Sequence, residues 1–277
     1  LEEIFIQIAM SLLLVLGSAL LGTLIYILLQ KPSNDGDWAP EVAFHPSIEQ
    51  QGNTIFIHHI RRFRYPSDTT IIEQHDDQTI DLHDIRGVDL FIEPFSPVRG
   101  PAHSLISFSC ADGRHIAVSV EVRRQNKQRE SSFWLSIFRQ YGLFYVVADE
   151  EDVVYLRSHI RRDRVYLHPL RLTPDQAQRL FLHTLPRINT LRETPELYSL
   201  FSNTCATNIR NHLNAVLDQP IPFHWSLLLP AFLPDFLYRH GLIDTDLPFE
   251  AHQRLALINA KPELHPDLPF SAAIRQG

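Results

Sequence analysis

A chain of 277 residues with 44% hydrophobic and 21% charged residues and only 10 glycines can bury one large core or two small ones, and its composition excludes a disordered protein. Its formal net charge of −7 excludes nucleic acid as a main partner, because a phosphate-tracking surface needs an excess of Lys and Arg. The Arg-rich stretches HHIRRFR (58–64) and HIRRDR (159–164) therefore read as solvated strand ends.

The first element runs from Ile4 to Leu29 without a charge or a proline. As a helix rising about 1.5 Å per residue it reaches roughly 39 Å, more than the ~30 Å hydrocarbon core, so it can cross a bilayer with tilt to spare. It passes straight into LLQKPSND, a charged, turn-forming boundary unlike the small-residue exit of a cleaved signal peptide. Retention as an anchor (residues 1–30) is expected. Lys31 after it and two glutamates before it do not fix the topology, and a start at Leu1 rather than Met leaves room for residues upstream. Residues 31–52 read as a polar linker.

From residue 53 apolar and β-branched residues cluster between turn signals, which predicts strands at 53–60, 87–95, 103–110, 115–122, 142–148, 152–158 and 165–172. ADGR (111–114) and DEED (149–152) read as tight hairpin turns. Thr173 as N-cap and Pro174 at the first helical position then open a helix with Ala177, Leu180, Phe181 and Leu185 on one face. TPELYSLF (194–201) adds a short helical piece. Cys205 opens another helix, with Ile209, Leu213 and Val216 on one face. Strands followed by helices make an α+β fold with an antiparallel sheet and C-terminal helices in a domain spanning 53–277.

Cys205 is one of two cysteines. Asn203 or Thr204 is a plausible N-cap, which puts the thiol in a first turn, where the helix dipole and unpaired N–H groups favour a thiolate; a buried, inert cysteine is the competing reading. The hairpin upstream offers a base. A three-residue loop Ala111–Gly113 pairs Cys110 with Arg114 and sets His103 opposite Glu121, an imidazole fixed by a carboxylate; a two-residue turn would set Val122 there instead. His115 lies at the other end of the hairpin, about 20 Å from His103, and reads as an exposed strand histidine. By the same distance, a thiol beside His103 cannot bridge Cys110, so both cysteines are expected free. The fifteen histidines show no tight metal-ligand spacing, and neither a metal nor another cofactor is expected.

These residues resemble the Lnb N-terminal periplasmic domain family. The likeness is carried by KPSNDGDWAPEVA after the apolar helix, IRRFRYPSDTT, TIDLHDIRGVDLF, AHSLISFSCADGRHIAVSVEVRR, FRQYGLFYVVADEEDVVYLR and SNTCATNIR. The resemblance implies a permuted papain-like thiol fold, as in lecithin:retinol acyltransferase and permuted NlpC/P60 relatives, with everything after the helix in the periplasm. It carries the catalytic histidine to His103, the cysteine to Cys205 and a carboxylate to Glu121. Thr204 stands directly before the cysteine where members often have Asn, with Asn203 one place earlier, so Asn203, Thr204 and Ala206 are the candidates for capping and oxyanion binding. The family's namesake resembles a lipoprotein transacylase, moving an acyl chain from the glyceryl thioether of a lipoprotein to its N-terminal amine, so the resemblance implies a membrane lipid or lipoprotein as partner. The segment 221–243, rich in Phe, Leu and Trp but broken by Pro230, Pro234 and Asp235, reads either as an interfacial element or acyl groove formed by Trp225, Phe232 and Phe236 or as core packing. A cell-wall amidase or peptidase and a non-catalytic binding domain are the competing functions.

Overall fold

The computed structural model describes residues 2–67, 69–128, 135–136 and 138–276. Helix α1 (Glu2–Leu29) leaves its large apolar side chains exposed and buries no part of its apolar span against the rest of the chain. That is the pattern of a segment whose solvent is lipid.

Ten strands follow. They are β1 (Ser47–Gln51), β2 (Thr54–Arg61), β3 (Arg64–Ser67), β4 (Thr70–Ile72), β5 (His75–Asp81), β6 (Ile85–Pro94), β7 (Ala102–Cys110), β8 (His115–Arg123), β9 (Gly142–Asp149) and β10 (Tyr166–Pro169). β3 and β4 pair as a separate ribbon; the others form one sheet in the order β1-β2-β9-β8-β7-β6-β10, with β5 also on β2. Its pairings are antiparallel except for a short parallel contact of β2 with β9 at Arg61 and Ala148. Helix α2 (Glu150–Tyr155) continues as a π-helical turn through Ile160, and α3 (Pro174–Glu193), α4 (Cys205–Asn214) and α5 (Leu233–Arg239) come after the sheet. This is the expected α+β order.

Both faces of the sheet are covered, which explains why its central strands read as unbroken apolar runs. Ile106, Phe108, Val118 and Val120 pack with Leu180, Phe181, Ile209 and Leu213 of α3 and α4. On the other face Leu105, Ala117, Phe144 and Val146 pack with Val153 and Val154 of α2 and with Ile258 and Ile274 near the C-terminus. Helix α3 starts as its sequence dictates, with a reciprocal capping box between Thr173 and Gln176.

Four expectations are corrected. Residues 152–158 are helical, not a strand, and DEED is no hairpin: Asp149 caps α2 by accepting from the Asp152 N–H at 2.9 Å, and Glu150, Glu151 and Asp152 fill the first turn. Residues 194–201 form bridges instead of a helix, Leu197 pairing with Gly142 and Ser199 with Asn203. Arg61 is no solvated strand end. It is buried, forked onto both oxygens of Asp152 at 2.8 Å, and the Phe63 N–H and Tyr65 hydroxyl also donate to that carboxylate. The stretch 31–52 docks onto the domain: Trp38 bridges to Gln125 and lies under the Arg123 guanidinium at 4.5 Å, and β1 joins the sheet.

Two buried histidines should make the fold acid-sensitive. His168 faces His252 at 3.0 Å; His212 takes Tyr145 on Nε2 at 2.8 Å and His183 on Nδ1 at 2.9 Å. Burial first, and then the neighbouring His252 for one and His183 and Arg187 for the other, lowers each pKa to about 3. The folded state thus binds fewer protons than the unfolded chain between about pH 3 and 6.5, so stability is intact above that window and is lost as pH falls through it. The expected slope is about 1.4 kcal/mol per pH unit for each histidine. Melting temperatures from pH 7 to pH 4 should fall steadily, and less steeply in His212→Gln; a flat profile would refute the assignment.

Candidate thiol site

The β7–β8 ladder pairs Ser109 with His115 and Leu105 with Ser119, and the Cys110 N–H donates to the Arg114 carbonyl at 2.9 Å. This is the register of the three-residue loop, which Gly113 closes at φ +85°. Extended by two residues, it sets His103 across from Glu121, with His103 Nε2 3.2 Å from Glu121 Oε1.

Ser119 lies between them. Its hydroxyl donates to Glu121 Oε1 at 2.6 Å and is 2.7 Å from His103 Nε2. With its one proton given to the carboxylate, Ser119 accepts from Nε2–H, so Nε2 carries a proton and Nδ1 is the ring atom left for the thiol. Arg157 completes the base. From the π-helical turn it donates to Glu121 Oε1 at 2.6 Å, to Glu93 Oε2 at 2.9 Å and to the Val153 carbonyl at 2.6 Å. Burial works against ionised Glu121, yet the charges of His103 and Arg157 and the bonds from His103 and Ser119 hold its carboxyl well below the usual range.

The thiol arrives from the other face on α4. Thr204 is the N-cap, and its hydroxyl and that of Thr207 satisfy each other's N–H groups at 3.2 and 2.7 Å. Cys205 and Ala206 follow as the first two helical residues, both buried, and their N–H groups have no intrahelical acceptor. Asn203 braces the loop, donating to Glu196 and to the Leu197 carbonyl and accepting from Asn208 at 2.9 Å.

Burial raises the Cys205 pKa, but the hydrogen bond and charge of His103 are the main causes that outweigh it and bring the thiol below its ordinary value. Burial likewise opposes protonated His103, and the Glu121 charge, followed by the bonds to Cys205 and Glu121, raises its pKa to about 10. The two shifts describe one proton moved from sulfur to imidazole. Cys110 behaves in the opposite way: burial and Asp112 push its thiol up to about 11. Both cysteines are free.

The groove candidates lie together, Trp225 and Phe236 both against His224, but they differ in exposure. Trp225 is half-exposed, edge-on to Phe232 at 4.9 Å, and Phe232 lies under Arg99 at 4.4 Å. Phe236 is buried in the core, stacked on His224 at 4.2 Å. His115 is half-buried, not exposed as expected, because it packs beside Asp89 and Glu150. Those three are the metal-ligand types that converge among the described residues, but Arg275 already donates to both carboxylates at 2.6 Å and supplies the positive charge there. Ser119 and Arg157 escape sequence reading. Ser119 carries one signal, its place two residues before Glu121 on the same strand face; Arg157 has none, lying 36 residues further on in a stretch that reads as a strand. Tyr198 is a further neighbour, whose pKa burial raises first and the charges of Cys205 and Glu121 raise further.

A mixed α+β domain in which a strand-borne imidazole, backed by a carboxylate, meets a thiol at a helix start defines a thiol-site protein. The chain belongs to the Lnb N-terminal periplasmic domain family, whose model matches residues 72–231 and so takes in His103, Glu121, Arg157 and Cys205. No curated protein and no solved structure matches it. Family and apolar helix together make it a periplasmic, membrane-anchored protein.

Proposed function

We propose that the domain is a cysteine-dependent acyltransferase with a permuted papain-like arrangement, acting on the acyl groups of membrane lipids or lipoproteins through a thioester. The observation that carries this reading is the placement of Cys205 in the first turn of α4 beside His103, which Ser119, Glu121 and Arg157 hold in place. The thiolate attacks the carbonyl carbon of an ester. Negative charge gathers on the carbonyl oxygen, where the N–H groups of Cys205 and Ala206 and the Tyr198 phenol are the available donors. The ester C–O bond then breaks, and the departing alkoxide takes the proton from His103. An amine or water next gives its proton to neutral His103, attacks the thioester and expels the thiolate. The helix α1 confines the enzyme to the bilayer that contains a diacyl substrate, which raises their effective concentration.

One observation favours a second reading, hydrolysis of a cell-wall peptide amide. A cavity of about 500 Å³ opens beside Glu121, lined by Arg61, Arg124, Arg157, Arg161, Glu93 and Asp163. Such a charged lining suits peptide groups better than an acyl chain. The test is to incubate the detergent-solubilised full chain with a diacyl lipopeptide and, separately, with a cell-wall stem peptide, and to weigh the protein intact. A hydroxylamine-labile acyl adduct on Cys205 from the lipopeptide is expected. Cleavage of the stem peptide alone would establish the second reading. Neither product, with Cys205 alkylated no faster than Cys110, would leave a binding domain.

A further inference from the structure

The loops around the thiol site expose more apolar surface than a wall facing water requires. Phe95 is 67% exposed, Val98 76%, Phe201 70% and Trp225 50%. They share one end of the sheet. Phe95 and Val98 follow the last residue of β6 and precede His103; Phe201 lies four residues before Cys205. Trp225 is tied to the same end through Phe232, because Arg99 donates to the Ala231 carbonyl and Ala231 N–H to the Gly100 carbonyl at 3.1 Å.

The anchor enters at this end. Helix α1 stops at Leu29, and Asn34 is already fastened to the domain: its amide donates to the Leu191 and Arg192 carbonyls at 3.1 and 2.8 Å and accepts from Arg123 at 2.8 Å. Arg123 is the last residue of β8, two past Glu121. Between Leu29 and Asn34 the chain can reach at most about 18 Å, whereas the β7–β8 hairpin tip lies a further ~30 Å away along nine-residue strands. The short tether therefore keeps the thiol end, and not the hairpin end, next to the membrane.

We infer that Phe95, Val98, Phe201 and Trp225 form an interfacial membrane-contact surface, which seats the thiol end of the domain on the lipid leaflet from which α1 emerges. Large apolar and aromatic side chains on loops, next to a membrane span, match the chemistry of the boundary between headgroups and acyl chains. The surface is independent of the thiol's reactivity, since it would seat an idle domain equally well.

The test uses the full chain in a Cys110→Ser, Cys205→Ser background, with single fluorophores at Val98→Cys, Phe201→Cys and, at the hairpin tip, Asp112→Cys. All three positions are exposed, so the labels leave the core intact. In phosphatidylcholine–phosphatidylglycerol nanodiscs, lipids carrying a nitroxide near the top of the acyl chain should quench the labels at 98 and 201 at least threefold more than the label at 112. Equal quenching at all three positions overturns the inference. So does protection of 98 and 201 from aqueous iodide without quenching by the lipid nitroxide, because protein, such as a second copy of the chain, would then cover the patch. Alkylation of Cys205 in the detergent-solubilised native chain tests the thiol reading separately.

Discussion

His103→Ala is expected to slow iodoacetamide modification of Cys205 at pH 6 by one to three orders of magnitude, about tenfold for each unit through which the thiol pKa climbs. In the native site the hydrogen bond and charge of His103 are what overcome burial. Without the imidazole, burial acts almost alone, and the thiol moves above its ordinary value, as Cys110 already does. The sign fixes the profile. Native Cys205 should stay reactive below the pH at which a free thiol loses its thiolate, while the variant should gain reactivity only as pH rises. Intact-mass kinetics from pH 5 to 10, with Cys110 as internal standard, read this directly. If acyl transfer is the function, His103→Ala should also lower turnover by roughly 10²–10⁴-fold through loss of the base, and Cys205→Ala should form no adduct at all. An unchanged alkylation profile in His103→Ala would sink the ion-pair account of the site.

The parts of this site that sequence reveals are those set by local rules. Turn chemistry at Ala111–Gly113 fixes the register that brings His103 opposite Glu121, and cap chemistry at Thr204 fixes Cys205 in the first turn. What stays hidden is set by distant partners. Residues 152–158 alternate well enough for a strand, yet Asp152 and Arg157 must face Arg61, Glu93 and Glu121, and the helix that Asp149 caps is what points them there. A buried arginine looks, in sequence, like any solvated one, because its carboxylate partners lie 36 and more residues away. Likewise 221–243 is equally apolar whether it faces core or lipid: Phe236 went inward, Trp225 outward. Tertiary packing alone makes that choice.

Arg157→Ala should cost about 3–5 kcal/mol of stability. The guanidinium is buried and serves Glu93 and Glu121 together. Truncation strands buried Glu93 without its cation and leaves Glu121 to His103 and Ser119 alone, so the desolvation cost is no longer fully offset. The melting temperature should fall by roughly 10 °C. Arg157→Lys should recover only part of this, since an ammonium cannot present the planar fork that reaches both carboxylates and the Val153 carbonyl. Adding Glu121→Gln to Arg157→Ala tests the cause, because removing one stranded charge should restore part of the lost stability and so show coupling in a double-mutant cycle. Additive losses, or a shift under 2 °C for Arg157→Ala alone, would mean that the arginine is solvated in solution and that Glu121 is held by Ser119 and His103 without it.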